Sequence, residues 1–109
     1  MWEVQYDERV EKWLEGLPED IKAKILRIID ILVKYGPFNV REPYVKHVSG
    51  QSKLFEIRAK GKEEIARVFY FTISDKRIVI LHGFIKKTNK TPKREIETAL
   101  KRMREVLDG

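Results

Sequence analysis

The chain of 109 residues contains no cysteine. That excludes disulfides and cysteine-ligated zinc, and it fits a reducing compartment. No run of apolar residues is long enough to span a bilayer. The start, Met1-Trp2-Glu3-Val4-Gln5-Tyr6, lacks the basic segment and apolar stretch of a signal peptide. A cytoplasmic protein without membrane contact is therefore expected. Also missing are a Gly-rich phosphate loop, an HExxH pair, zinc-ligand spacing and a G-x-S-x-G elbow. The acids fall mostly at the surface spacing of helices, which speaks against metal-dependent hydrolysis. Neither a metal nor a cofactor is expected. There is no internal repeat and no low-complexity tract.

Hydrophobic residues make up 42% of the chain and aromatics 10%, enough for one modest core. A single domain over residues 1–109 follows. The net charge is +6, from 23 basic and 17 acidic residues. It is unevenly spread. Residues 1–35 hold 6 basic and 8 acidic side chains, whereas residues 36–109 hold 17 basic and 9 acidic. The second half is thus suited to a polyanion or an acidic protein partner, or it is a solvated basic surface.

Residues 1–6 alternate with β-prone side chains and read as a first strand. Asp7 is a good N-cap, and Val10, Trp13, Leu14 and Leu17 follow at helical spacing. Pro18 opens a second helix with Glu19 and Asp20 in its first turn and a stripe of Ile21, Ile25, Ile28, Ile29 and Leu32. Gly36-Pro37 stops it, and residues 37–52 have loop chemistry. Strands are expected at Lys53–Ala59, Ile65–Ile73 and Ile78–Ile85, joined as antiparallel hairpins. After Thr91-Pro92, the residues Ile96, Leu100, Met103 and Leu107 predict a last amphipathic helix. The sum is an α+β fold: an antiparallel sheet of about four strands, a helical hairpin packed on it, and a C-terminal helix.

Three strands carry unusual charge. In KLFEIRAK, alternation puts Leu54, Glu56 and Arg58 on one face. In IARVFYF, Arg67 interrupts an apolar run, where a charge is costly unless paired or bound to an anion. A hairpin centred on Gly61–Glu64 sets Arg58 nearly opposite Arg67, and like charges there repel. Either an anion sits between them or Glu56 bridges both. A register with Ile73 opposite Ile78 places His82 across from Phe69 and Arg67 across from Phe84. His82 then either looks into the concavity of Arg67 or, as is commoner for a lone histidine in an apolar strand, is packed and hydrogen-bonded. Lys86 falls on the face of Arg67. Lys87, Lys90, Lys93 and Arg94 follow in the turn before the last helix. These cations form either a rim for phosphates or a solvated lysine turn. In the loop, Lys46 and His47 are exposed candidates, His47 as a general base or merely solvated.

LFEIRAKG, ARVFYF and IVILHGFIKKTNKTPKREIETA, in that order, resemble the RelE/ParE toxin superfamily, in particular its HigB-like, phage-derived branch. The resemblance covers nearly the whole chain. It implies a RelE-like α+β toxin of a type II toxin–antitoxin system, acting as a ribosome-dependent mRNA endonuclease. Such enzymes use the RNA 2′-hydroxyl to attack the neighbouring phosphate, and they need no metal. The implied partners are the ribosome, mRNA and a cognate antitoxin, expected as a small helix-turn-helix protein. Residue by residue, Arg58 and Arg67 look like the family's phosphate-clamping arginines. Lys86 and Lys87 resemble its F-x-K-K-T pair, with Lys87 assigned to transition-state charge and His47 to proton transfer. Lys46, Lys86, Lys90, Lys93 and Arg94 are the expected phosphate contacts. The chain departs from the pattern at Ala66, where relatives often carry an aromatic, and in having no tyrosine after Tyr70. A ParE-like inhibitor of DNA gyrase and an inactive phage-derived binding module are the alternatives.

Overall fold

A computed structural model describes residues 1–86 and 90–109. The elements run β1 (Glu3–Tyr6), α1 (Glu8–Glu15), α2 (Glu19–Tyr35), a single 3-10 turn (Pro37–Asn39), β2 (Val45–His47), β3 (Phe55–Lys60), β4 (Ile65–Ile73), β5 (Arg77–Lys86) and α3 (Lys93–Asp108). Among them, no helix is long and apolar enough to cross a membrane.

The helical hairpin forms where its caps and stripe place it. The Asp7 carboxylate accepts the backbone N–H of Arg9 at 2.9 Å and also clasps the Arg9 guanidinium. Val10 and Leu14 of α1 are buried, as are Ile21, Ile25, Ile28, Ile29 and Leu32 of α2. Gly36 ends α2 with φ +88°, a conformation that suits glycine, and its N–H returns to the Leu32 carbonyl at 2.9 Å.

The sheet has five strands in the order β1-β5-β4-β3-β2, with β1 parallel to β5 and the other neighbours antiparallel. It is therefore mixed and one strand wider than the four antiparallel strands expected. The extra strand, β2, lies inside the segment that reads as a loop. It is three residues long and buries only Val45, too little to leave a period in the sequence.

Both faces of the sheet are covered. Ile57, Ala59, Ala66, Val68, Tyr70, Ile78 and Ile80 pack against the helical hairpin. Leu54, Phe69, Phe71, Val79, Leu81 and Phe84 pack with Ala99 and Met103 of α3. The buried stripe of α3 continues through Val106, whereas Leu107 is 57% exposed. At the β4–β5 turn, Ile73 lies opposite Arg77, one residue away from the expected pairing. A bulge then leaves Leu81 without a partner, and beyond it Phe69 faces His82 and Arg67 faces Phe84. The extra residue restores the expected register where the charged residues lie. Arg102 of α3 donates to the carbonyl of the bulged Leu81 at 3.0 Å.

Next along β5, Gly83 faces the hairpin, and Trp13 fills the space a side chain would need. A methyl group at Gly83 would meet Cζ3 of Trp13 at 2.2 Å. Gly83→Ala is therefore expected to destabilise the fold by about 1–3 kcal/mol, the range for overpacking. A lower urea midpoint at unchanged slope is the expected result; an unchanged midpoint would mean that α1 shifts freely over β5.

Candidate active site

The β3–β4 pairing sets Arg58 directly opposite Arg67 and Glu56 opposite Phe69. All four side chains share the face that α3 partly covers, because residues two apart on a strand point the same way. On β2, Lys46 pairs with Glu56 and joins them. On β5, Lys86 lies opposite Ile65, two positions beyond Phe84 and on the same face. Four cations from four strands thus converge: Lys46, Arg58, Arg67 and Lys86. Three of them, Lys46, Arg58 and Arg67, line a cleft of about 160 Å³ together with Glu42 and Pro43, and Lys86 lies on the same face outside that lining.

The two arginines differ in environment. Arg58 is exposed. Arg67 is only 3% exposed, and its Nη1 lies 3.4 Å from Oε1 of Glu56, itself 2% exposed. Thr91, just before α3, donates its hydroxyl to the same Glu56 oxygen at 3.1 Å. Of the two bridging possibilities raised by the sequence, Glu56 pairs with Arg67. Among the described residues it makes no ion pair with Arg58. The pairing leaves Arg67 Nε and Nη1 without a hydrogen-bond acceptor among the described residues. Burial holds the Arg67 guanidinium below the usual arginine range; Glu56 opposes that shift and Arg58 adds to it.

Lys86 responds to the whole cluster. Burial lowers its pKa first, then the charge of Arg67, with Lys46 and Arg58 adding and Glu56 opposing. Its ammonium gives up a proton more readily than an ordinary lysine.

The remaining described candidates do not line the cleft. His47 is the neighbour of Lys46 on β2 and so points to the opposite face. There it stacks on Phe55 with centroids 4.4 Å apart, bonds the Ser52 carbonyl, and lines a second cavity with Pro37 and Phe38 that shares only Glu42 and Lys46 with the cleft. The structure does not bring it to the cleft. Its expected position in a loop is also corrected, because it ends β2. Lys87 falls outside the described residues. Lys90, Lys93 and Arg94 are exposed and do not line the cleft; Arg94 lies 3.9 Å from Glu95. His82 is packed as expected, stacked beside Phe69 and Phe84 with Nε2 2.8 Å from Glu95.

Sequence reasoning missed Glu42. It stands at the cleft and makes no ion pair among the described residues. The one available signal was that it is the sole acid between residues 36 and 52. No group of three or more potential metal ligands occurs among the described residues.

A sheet flanked by a helical hairpin and a final helix, with basic side chains gathered at one cleft, defines a RelE-like member of the toxin superfamily. The chain belongs to the phage-derived protein Gp49-like family (DUF891), whose pattern matches residues 12–104. An archaeal RelE from Pyrococcus horikoshii OT3, solved in a RelE–RelB complex, is 31% identical. That match covers 83% of this chain and 98% of the relative, with a TM-score of 0.58. A mutant of the E. coli toxin RelE, solved in the free state with two arginines replaced by alanine, shares the fold at 14% identity. It has a TM-score of 0.67 and the match covers 94% of this chain and 97% of that one. No protein of curated function matches the sequence.

The geometry separates the two arginines by their structural roles. Arg67→Ala leaves the Glu56 carboxylate buried without its cation and is expected to cost about 3–5 kcal/mol. Arg58→Ala, at an exposed position, is expected to stay within about 0.5 kcal/mol of wild type. Urea unfolding of both variants measures the contrast, and equal losses would contradict the burial difference.

Proposed function

We propose that this protein is the toxin of a type II toxin–antitoxin system and cuts mRNA on the ribosome. The observation that carries the reading is the gathering of Lys46, Arg58, Arg67 and Lys86 on one face of the sheet, where the first three line one cleft. Cations gathered this closely repel one another, and a phosphate between them relieves the repulsion.

Cleavage by the 2′-hydroxyl requires three things: removal of its proton, stabilisation of the charge that develops on the phosphate oxygens, and a proton for the departing 5′ oxygen. Arg58 and Arg67 clamp the phosphate and stabilise the added charge, for which a positioned donor is worth about 2.7–4 kcal/mol. Lys86 accepts the 2′ proton in its neutral form, which the surrounding cations and burial make easier to reach. Lys46, the lysine that lines the cleft, supplies the proton to the leaving oxygen. The basic second half of the chain suits it to the RNA-rich surroundings of the ribosome.

The archaeal relative supports the choice of a partner. The archaeal relative is held in a RelE–RelB complex, and a cognate antitoxin, a small helix-turn-helix protein, would neutralise this chain in the same sense. An acidic segment of it is suited to cover the basic cleft.

Mapping of mRNA 5′ ends after induction tests the reading. Wild type is expected to produce translation-dependent cuts and growth arrest. Arg58→Ala should lower cleavage by about 10²–10³. Lys86→Arg keeps the positive charge but cannot deprotonate, so it should retain RNA binding while cleavage falls by about 10²–10⁴. The pH profile carries the sign: a base works when neutral, so wild-type cleavage should rise with pH up to the lowered pKa of Lys86. Lys86→Arg should lose that rise. Growth arrest with inhibited gyrase supercoiling and no new 5′ ends would replace this reading with the ParE-like one.

A further inference from the structure

We infer that Glu56 is a resident counter-ion which competes with phosphate for Arg67, so that the cleft holds its substrate and product less tightly than its cations allow. The inference rests on the reading of the cleft as a phosphate site and adds a means of release. Three observations support it. Glu56 and Arg67 are almost completely buried, at 2% and 3% exposure, and face each other at 3.4 Å. That contact supplies opposite charge without hydrogen-bond geometry, since Nε and Nη1 of Arg67 have no acceptor among the described residues. Buried donors in this state gain from an acceptor that reaches them, and Arg67 lines the cleft through which a phosphate oxygen would come. Finally, Glu56 has a second partner. The Thr91 hydroxyl donates to the same Oε1 at 3.1 Å, so the carboxylate keeps one hydrogen bond when an anion takes the guanidinium.

The charge distribution gives the competition its direction. Without Glu56, the Arg58–Arg67 pair would hold two like charges opposite each other across two strands, an arrangement that binds any anion avidly. With Glu56 present, part of that attraction is already satisfied, and the carboxylate repels the incoming phosphate. Free protein is stabilised at the expense of anion affinity.

Binding of inorganic sulfate and inorganic phosphate to the full chain, followed by the concentration dependence of the melting temperature, tests this without reference to RNA cleavage. Glu56→Gln preserves the shape and the Thr91 hydrogen bond but removes the charge. It is expected to be less stable than wild type in the absence of anion and to bind sulfate roughly tenfold more tightly. The double variant Glu56→Gln/Arg67→Gln should lose that gain. Should Glu56→Gln not fold, Glu56→Asp draws the charge back from the guanidinium and should show a gain of about two- to threefold by the same Coulombic reasoning.

Unchanged or weaker sulfate binding by these variants, with wild type still binding, would reduce Glu56 to a core residue and overturn the inference alone. Failure of wild type and variants alike to bind either anion would overturn the phosphate cleft as well. Tighter binding by Glu56→Gln in a protein that cuts no mRNA would sustain the inference and remove the endonuclease reading.

Discussion

The register of β4 is the constraint from which the rest of the structure follows. It is the middle strand of five, bonded to β3 on one side and β5 on the other, and its side chains from Ala66 to Phe71 are buried. A one-residue slip would move Arg67 to the hairpin face and send Val68 and Tyr70 toward α3. Two complete apolar faces hold the strand against that slip, so one arginine can be carried inside a run that otherwise excludes charge. The energy that assembles the cleft is thus the burial of its apolar neighbours, not attraction among the charged groups.

This explains how four cations can be kept together in the absence of a ligand. Each is fixed to a different strand, and the backbone ladder, not the side chains, sets their spacing. Repulsion is moderated in two ways. Arg58 and Lys46 stay exposed to water, and Arg67 is paired with Glu56. The lowered proton affinity of Lys86 comes first from its burial and then from the neighbouring cations, Arg67 foremost. A single arrangement therefore produces both a cation-lined cleft and a lysine that gives up its proton more readily than usual.

The relationship to RelE has the same physical basis. A fold can persist at 14% identity because packing constrains polarity and volume more than identity; in this chain the constraint shows as an apolar stripe on α2 and a largely apolar β4 interrupted by Arg67. The bulge at Leu81 shows how local detail serves the pattern. It adds a residue where α3 can satisfy the freed carbonyl through Arg102, and it keeps Arg67 opposite Phe84.

The helical hairpin, the three long strands and the last helix were legible in the chain because each has a strong hydrophobic period and clear caps or turn residues. The shared face of Glu56, Arg58, Arg67 and Lys86 was legible too, since alternation along strands and antiparallel pairing set it; the slip at Ile73 was cancelled by a bulge that no local signal announces. Strand β2 was not legible, being three residues with one buried side chain, and with it went the true position of His47, which a loop reading leaves beside Lys46. The choice of Arg67 over Arg58 as the partner of Glu56 also belongs to the tertiary structure, because it depends on Thr91 and on the covering of α3. Sequence alone thus determined which side chains share a face, by backbone periodicity. Only the packed fold decided which of them are sealed from water, paired or left open to a ligand, because burial depends on elements distant in the chain.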